Sequence, residues 1–200
     1  MAETIDFYFD FTSPYGYIAS QVIDEIAARH DCATRWHAFM VTAAYKQFNA
    51  TNPLTHAAKE KYFRLDIPRT AAHFGVPFRF PATWPENLVA AGRAFSWIED
   101  RDPDAAKRFA KAVFRQAYID GVDVTGIEFC CELAAGMGVA RDEMKAALTS
   151  PEVKETLRKA VEAAVAKGVF GSPYIVVDGE PFWGADRLAQ VEEWLVTGGW

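Results

Sequence analysis

Three segments of the 200-residue chain place polar side chains where they could do chemistry. The first is FDFTSPYGY, Phe9–Tyr17, in which Ser13 falls between an alternating run and an apolar helical run. A serine at a strand end and helix start lies among free backbone N–H groups, on the positive end of the helix dipole. It can cap the helix, or it can hold an anion or thiolate near its hydroxyl. The second is GVFGSPYIVVDGEPFWGADRL, Gly168–Leu188. Gly171-Ser172-Pro173 before a strand makes a constrained turn, with Pro173 a candidate cis peptide. A bend there either merely turns the chain or presents the Ser172 N–H and C=O to a peptide-like ligand. Asp186 precedes an amphipathic run, as an N-cap or as a carboxylate for a ligand ammonium group. The third is KEKYFRLDIPR, where Lys59, Tyr62, Asp66 and Arg69 recur three to four apart. They share one helix face, which is either a solvated, salt-bridged surface or part of a site.

Behind these segments the hydrophobic pattern sets out the elements. Ile5, Phe7 and Phe9 alternate with Asp6, Tyr8 and Asp10, predicting a strand over Thr4–Asp10. Ser13-Pro14 then starts a helix reaching about His30, and Thr34–Phe39 is a second strand, so the chain opens as a parallel βαβ unit. Helices are predicted over Thr55–His73, with Pro68 marking a kink or restart, and over Glu86–Asp100, Asp104–Ile119, Ile127–Ala135 and Asp142–Leu148. Val76–Pro85 reads as a loop. Ser150-Pro151 opens a helix whose Val153, Leu157, Val161, Ala164 and Val165 share a face, and Gly168 ends it. Tyr174–Val177, the turn Asp178-Gly179 and an edge strand at Pro181-Phe182-Trp183 form a hairpin before a last helix. The expected fold class is α/β, a βαβ…ββα sheet interrupted by a large all-helical insertion.

Composition removes several classes of function. A net charge of −6 disfavours nucleic-acid and anionic-membrane partners. The four histidines lack zinc-ligand spacing, so no metal site is expected. No glycine-rich nucleotide loop or nucleophile elbow is present. Of the three cysteines, Cys130 and Cys131 are adjacent in an apolar run and Cys32 stands alone, and no CxxC occurs, so neither a disulfide framework nor an internal dithiol is expected. Without a leader pattern or an apolar run of about 18 residues, the expected location is cytoplasmic.

FDFTSPYGY, KxxYxxxDxxR and VFGSPxxxVDGxxFWGADRL, in that order along nearly the whole chain, resemble the 2-hydroxychromene-2-carboxylate isomerases. These are relatives of the kappa-class glutathione transferases and, more distantly, of the DsbA oxidoreductases. The resemblance implies a thioredoxin-like domain at 1–40 and 165–200 with an inserted helical domain at 41–164. It implies glutathione as cofactor, a small aromatic carboxylate as substrate and a homodimer. Where DsbA proteins carry CPxC, this chain has Ser13-Pro14-Tyr15-Gly16. By the resemblance Ser13 faces the glutathione sulfur, Ser172 and Pro173 hold the cysteinyl backbone, and Asp186 holds the γ-glutamyl end. Lys59 reaches the glycyl end or the substrate carboxylate, and Asn52 lies near a family asparagine that contacts glutathione. Departures are Ala185, where kappa transferases often have serine, Ser172, at a position often apolar, and Pro68, which would interrupt the DxxR helix.

The implied reaction converts 2-hydroxychromene-2-carboxylate to trans-o-hydroxybenzylidenepyruvate by reversible thiolate addition. A thiol of pKa ~8.5 is only a few per cent ionised at neutral pH, and lowering it by about two units takes roughly 2.7 kcal/mol. One hydroxyl hydrogen bond plus a helix N-terminus is of that size. Two other readings stay open, a kappa-like transferase that conjugates electrophiles and a non-catalytic thioredoxin-like glutathione-binding protein. Disulfide exchange is disfavoured because Ser13 and Gly16 stand in both thiol positions.

Overall fold

The structure, a computed structural model, describes residues 4–200. β1 (Thr4–Phe9) alternates as its sequence requires, with Ile5, Phe7 and Phe9 fully buried on one face. α1 (Pro14–Arg29) begins at the Ser13 cap with proline in its first turn, and it returns the chain to β2 (Ala33–Ala38), parallel to β1 with Phe7 opposite Trp36. Seven helices follow before the sheet resumes: α2 (Val41–Gln47), α3 (Ala57–His73), α4 (Val89–Glu99), α5 (Pro103–Arg115), α6 (Gly126–Ala135), α7 (Arg141–Thr149) and α8 (Pro151–Ala166). Then come β3 (Tyr174–Val177), β4 (Glu180–Trp183) and α9 (Leu188–Thr197). The strands run β2-β1-β3-β4, with β3 antiparallel to β1 and to β4. The β3–β4 turn has Asp178 at φ 51° and Gly179 at φ 87°, the two left-handed residues of a tight hairpin.

The sheet is covered on both faces. On one, Phe7 and Phe9 stack on each other and meet Trp36 edge-on, and Phe9 continues into Phe95 of α4 and Phe114 of α5. α1 and α9 pack together on this side, where Phe182 meets Trp194. Trp36 donates its indole N–H to Asp24 of α1, which also takes Lys111 of α5 at 2.7 Å. On the other face Tyr8 stacks on His37 at 4.5 Å, and α8 packs against β2. The α8 face is the predicted one, with Val153, Leu157, Val161 and Ala164 buried and Val165 half-buried at its edge.

α2 stands where the periodicity predicts no helix, and three further helical segments differ from it. α3 runs unbroken through Pro68, which neither kinks it into two helices nor restarts it. Ile67 and Ala71 stay buried on its inner face, so packing holds the helix across the missing N–H. α4 starts at Val89 rather than Glu86 because Asn87 is left-handed at φ 55°. The α5 segment ends as α-helix at Arg115, and Gln116–Asp120 widens to a π turn closed by Gly121 at φ 72°.

Candidate functional site

The site forms where the start of α1 meets the turn before β3. The Ser13 N–H donates to the Asp10 carbonyl at 2.9 Å, and the Ser13 carbonyl accepts the Tyr17 N–H. Its side-chain oxygen accepts the Gly16 N–H at 3.0 Å, so Ser13 is the N-cap. Its hydroxyl proton goes across the cleft to the Ser172 carbonyl at 2.8 Å. The Ser172 hydroxyl in turn accepts the Asp10 N–H at 2.8 Å. The Ser172–Pro173 peptide bond is cis. Ser13, Ser172 and Pro173 therefore meet, although about 160 residues separate them in sequence. The Ser172 carbonyl, expected to be open for pairing, is held by Ser13, while the Ser172 N–H has no protein acceptor among the described residues.

Asp10 underlies this junction and was not singled out by its sequence context. Its buried carboxylate accepts the Thr12 N–H and hydroxyl, both at 2.8 Å, and the Val41 N–H of α2 at 2.7 Å. Burial pushes its carboxyl above the usual range, against the pull of those hydrogen bonds. The available signal was Asp10 two residues before Thr12, the spacing of an Asx turn.

Tyr15 faces the helical block. Its hydroxyl donates to Asp66 of α3 at 2.6 Å, and Tyr62 donates to the other oxygen of that carboxylate at 3.0 Å. Burial, then the Asp66 carboxylate, then more weakly Asp186, raise the Tyr15 phenol far above its ordinary value. Asp186 thus lies within electrostatic reach of Tyr15. It is exposed, pairs with Arg187 at 3.1 Å and caps nothing. A 3₁₀ turn, Ala185–Arg187, intervenes between β4 and α9, so Asp186 falls inside that turn rather than at the N-cap.

Lys59 is exposed in the first turn of α3, one turn before Tyr62, and among the described residues it forms no ion pair or hydrogen bond. Arg69 stays 3.7 Å from Asp66, so Pro68 does not remove it from that carboxylate. Asn52 forms no hydrogen bond to the junction among the described residues; its side chain caps the short turn Pro53–Thr55 by accepting the Leu54 N–H at 3.0 Å. Phe170 and Trp183, both exposed, pack edge to face at 4.9 Å beside Gly171. A Cβ on Gly171 would stand 2.2 Å from the Trp183 indole nitrogen, so only glycine admits this packing. Cys130 and Cys131 are buried on α6, and burial pushes the Cys130 thiol up to about 12, which leaves it a poor nucleophile. Among the described residues no three His, Cys, Asp or Glu side chains cluster to hold a metal, and no helix is long and apolar enough to cross a membrane.

Comparison with known proteins agrees with this geometry. The family model of the DSBA-like thioredoxin domain matches residues 4–196. The chain is 30% identical over 198 residues to a 2-hydroxychromene-2-carboxylate isomerase of Sphingobium xenophagum, covering 98% of this chain and all of that one. It is 26% identical to glutathione S-transferase kappa 2 of Caenorhabditis elegans, covering 96% and 92% of the two chains. Among solved structures, a 2-hydroxychromene-2-carboxylate isomerase superposes with a TM-score of 0.86 at 25% identity, covering 95% of this chain and 93% of that one. With its sheet order, its cis-proline turn and a match over nearly its full length, the chain belongs to the DSBA-like thioredoxin domain family.

Proposed function

We propose that this protein is a glutathione-dependent isomerase of the 2-hydroxychromene-2-carboxylate type. The observation that carries the reading is a hydroxyl, Ser13, at the N-terminus of α1 beside the cis-proline turn, with none of the three cysteines there. A family member without its own thiol at that position can do thiol chemistry only with sulfur supplied by a ligand. The residues fit glutathione. The Ser172 N–H lacks an acceptor among the described residues and can pair with the cysteinyl unit, the Ser13 hydroxyl stands at the helix end, and Asp186 offers an exposed carboxylate to the γ-glutamyl ammonium. Bound glutathione would supply a thiolate: the chromene ring C–O bond opens, its hemiketal proton passing to the phenol oxygen, and addition of the thiolate to the carbon–carbon double bond, rotation and loss of the thiolate would leave that bond trans with no glutathione consumed.

The chain's own residues prepare that chemistry. Ser13 donates a hydrogen bond and the α1 dipole favours negative charge, together lowering the cost of an ionised sulfur. Lys59, which is uncommitted, offers a cation to a carboxylate in a protein of net charge −6. Tyr15 and Tyr62 are held by Asp66 and form an aromatic wall with Phe63.

The test follows substrate isomerisation and free glutathione together. Turnover with constant free glutathione supports the isomerase. Falling glutathione with a conjugated product supports the transferase named for the Caenorhabditis elegans relative. No calorimetric binding of glutathione up to millimolar concentration overturns both and leaves a binding module for some other ligand. Ser13→Ala is expected to lower turnover at neutral pH by about tenfold, the drop in thiolate fraction when most of the thiol activation is lost.

A further inference from the structure

The two serines at the junction are not equivalent in how their protons are used. The Ser13 hydroxyl is committed to the Ser172 carbonyl. The Ser172 hydroxyl accepts the Asp10 N–H, and its own proton meets no protein acceptor among the described residues. That amide fixes the oxygen and polarises the O–H bond, which makes it a stronger donor. Both side chains border one point. A Cβ on Gly16 would lie 2.7 Å from the Ser172 oxygen and 3.2 Å from the Ser13 Cβ. A side chain at position 16 would displace the Ser172 hydroxyl, because no real Cβ tolerates such an approach.

We propose that the Ser172 hydroxyl is a second hydrogen-bond donor to the sulfur of bound glutathione, and that residue 16 is glycine to leave that hydroxyl its place. The inference rests on the glutathione reading above and assigns the Ser172 side chain a role beyond its backbone. Two donors also remove a difficulty of one. Ser13 must give up its bond to the Ser172 carbonyl before it serves the sulfur, whereas the Ser172 proton is available without any exchange.

The experiment titrates the thiol of protein-bound glutathione by its thiolate absorbance, alongside calorimetric affinity and thermal unfolding, in the wild type and in Ser172→Ala, Ser172→Thr, Gly16→Ala and Ser13→Ala. The wild-type midpoint is expected well below that of free glutathione. Ser172→Ala should raise it by about one pH unit, the size of one charge-assisted hydrogen bond, and Ser172→Thr, which keeps the hydroxyl, should bring it back. Gly16→Ala should raise it as well while leaving both serines in the chain. A Ser172→Ala midpoint equal to wild type, with Ser13→Ala raised, overturns this proposal and leaves the isomerase reading standing. A wild-type midpoint equal to that of free glutathione overturns both. If Ser172→Ala does not fold, Gly16→Ala decides alone, and an unmoved midpoint there is the overturning result.

Discussion

Asp10 carries more of the site's geometry than its place in a strand pattern suggests. Three donors converge on its buried carboxylate, two from Thr12 and one from the first residue of α2. Its own N–H and C=O reach Ser172 and Ser13. Removing the carboxylate leaves two partly buried amides without acceptors, each worth about 1–3 kcal/mol when fully buried, and relief of the buried charge offsets part of that loss. Asp10→Ala is therefore expected to lose about 1–3 kcal/mol of stability in urea unfolding. Equal midpoints for variant and wild type would show that water replaces all three donors. Ser13 and Ser172 could be picked from the sequence because each sits in a local signature, Ser-Pro before a helical run and Ser-Pro before a strand. Their mutual hydrogen bond could not, since no local pattern encodes a contact 159 residues apart. The same holds for Tyr15 and Asp66, whose bond spans 51 residues.

At the level of elements, most boundaries follow from caps and periodicity, and the exceptions are places where packing overrides propensity. The Asp178-Gly179 hairpin and the α8 face were legible because turn chemistry and a buried stripe agreed. Asn87 and Pro68 were not, since one adopts a left-handed conformation and the other sits inside a helix that its sequence should interrupt. Pro68 leaves the Arg64 carbonyl without its helical donor. Proline costs about 3 kcal/mol relative to alanine in a helix interior, and the stiffer unfolded chain returns about 0.4–1 kcal/mol. The half-buried ring also gives some packing. Pro68→Ala is expected to stabilise the protein by about 1–2 kcal/mol, a rise of a few degrees in Tm for a chain of this size. A fall in Tm would mean that the ring's contacts outweigh the helical hydrogen bond. Because α3 carries Lys59, Tyr62 and Asp66, the same variant also asks whether Pro68 influences the side chains that this helix offers to the junction.

For the whole molecule, pH draws the partly buried titratable groups in opposite directions. Burial would raise Asp24, but hydrogen bonds from Lys111 and Thr34 hold its carboxyl below the ordinary range. Its contribution is therefore present above about pH 4 and lost as pH falls. His37 is pushed below its ordinary 6.5 mainly by burial, so protonating it also favours unfolding as pH drops. Glu99, at the end of α4, has the reverse sign. Burial and then the neighbouring Asp100 push its carboxyl up from 4.5 to about 7. It shares a cavity of about 130 Å³ with His37, Tyr8 and Lys167 on the α8 side of the sheet. A raised acid favours the folded state while protonated, and that advantage fades as pH rises from 4.5 through about 7. At pH 8 the ionised Glu99 is a penalty, which contact with solvent limits to about 1–2 kcal/mol. Glu99→Gln keeps the shape and removes the charge. It is expected to match wild type in urea unfolding at pH 4 and to exceed it by about 1–2 kcal/mol at pH 8. A stability difference identical at the two pH values would place the titration elsewhere. That divergence between the two pH values would assign this part of the pH dependence to Glu99 rather than to the overall charge of −6.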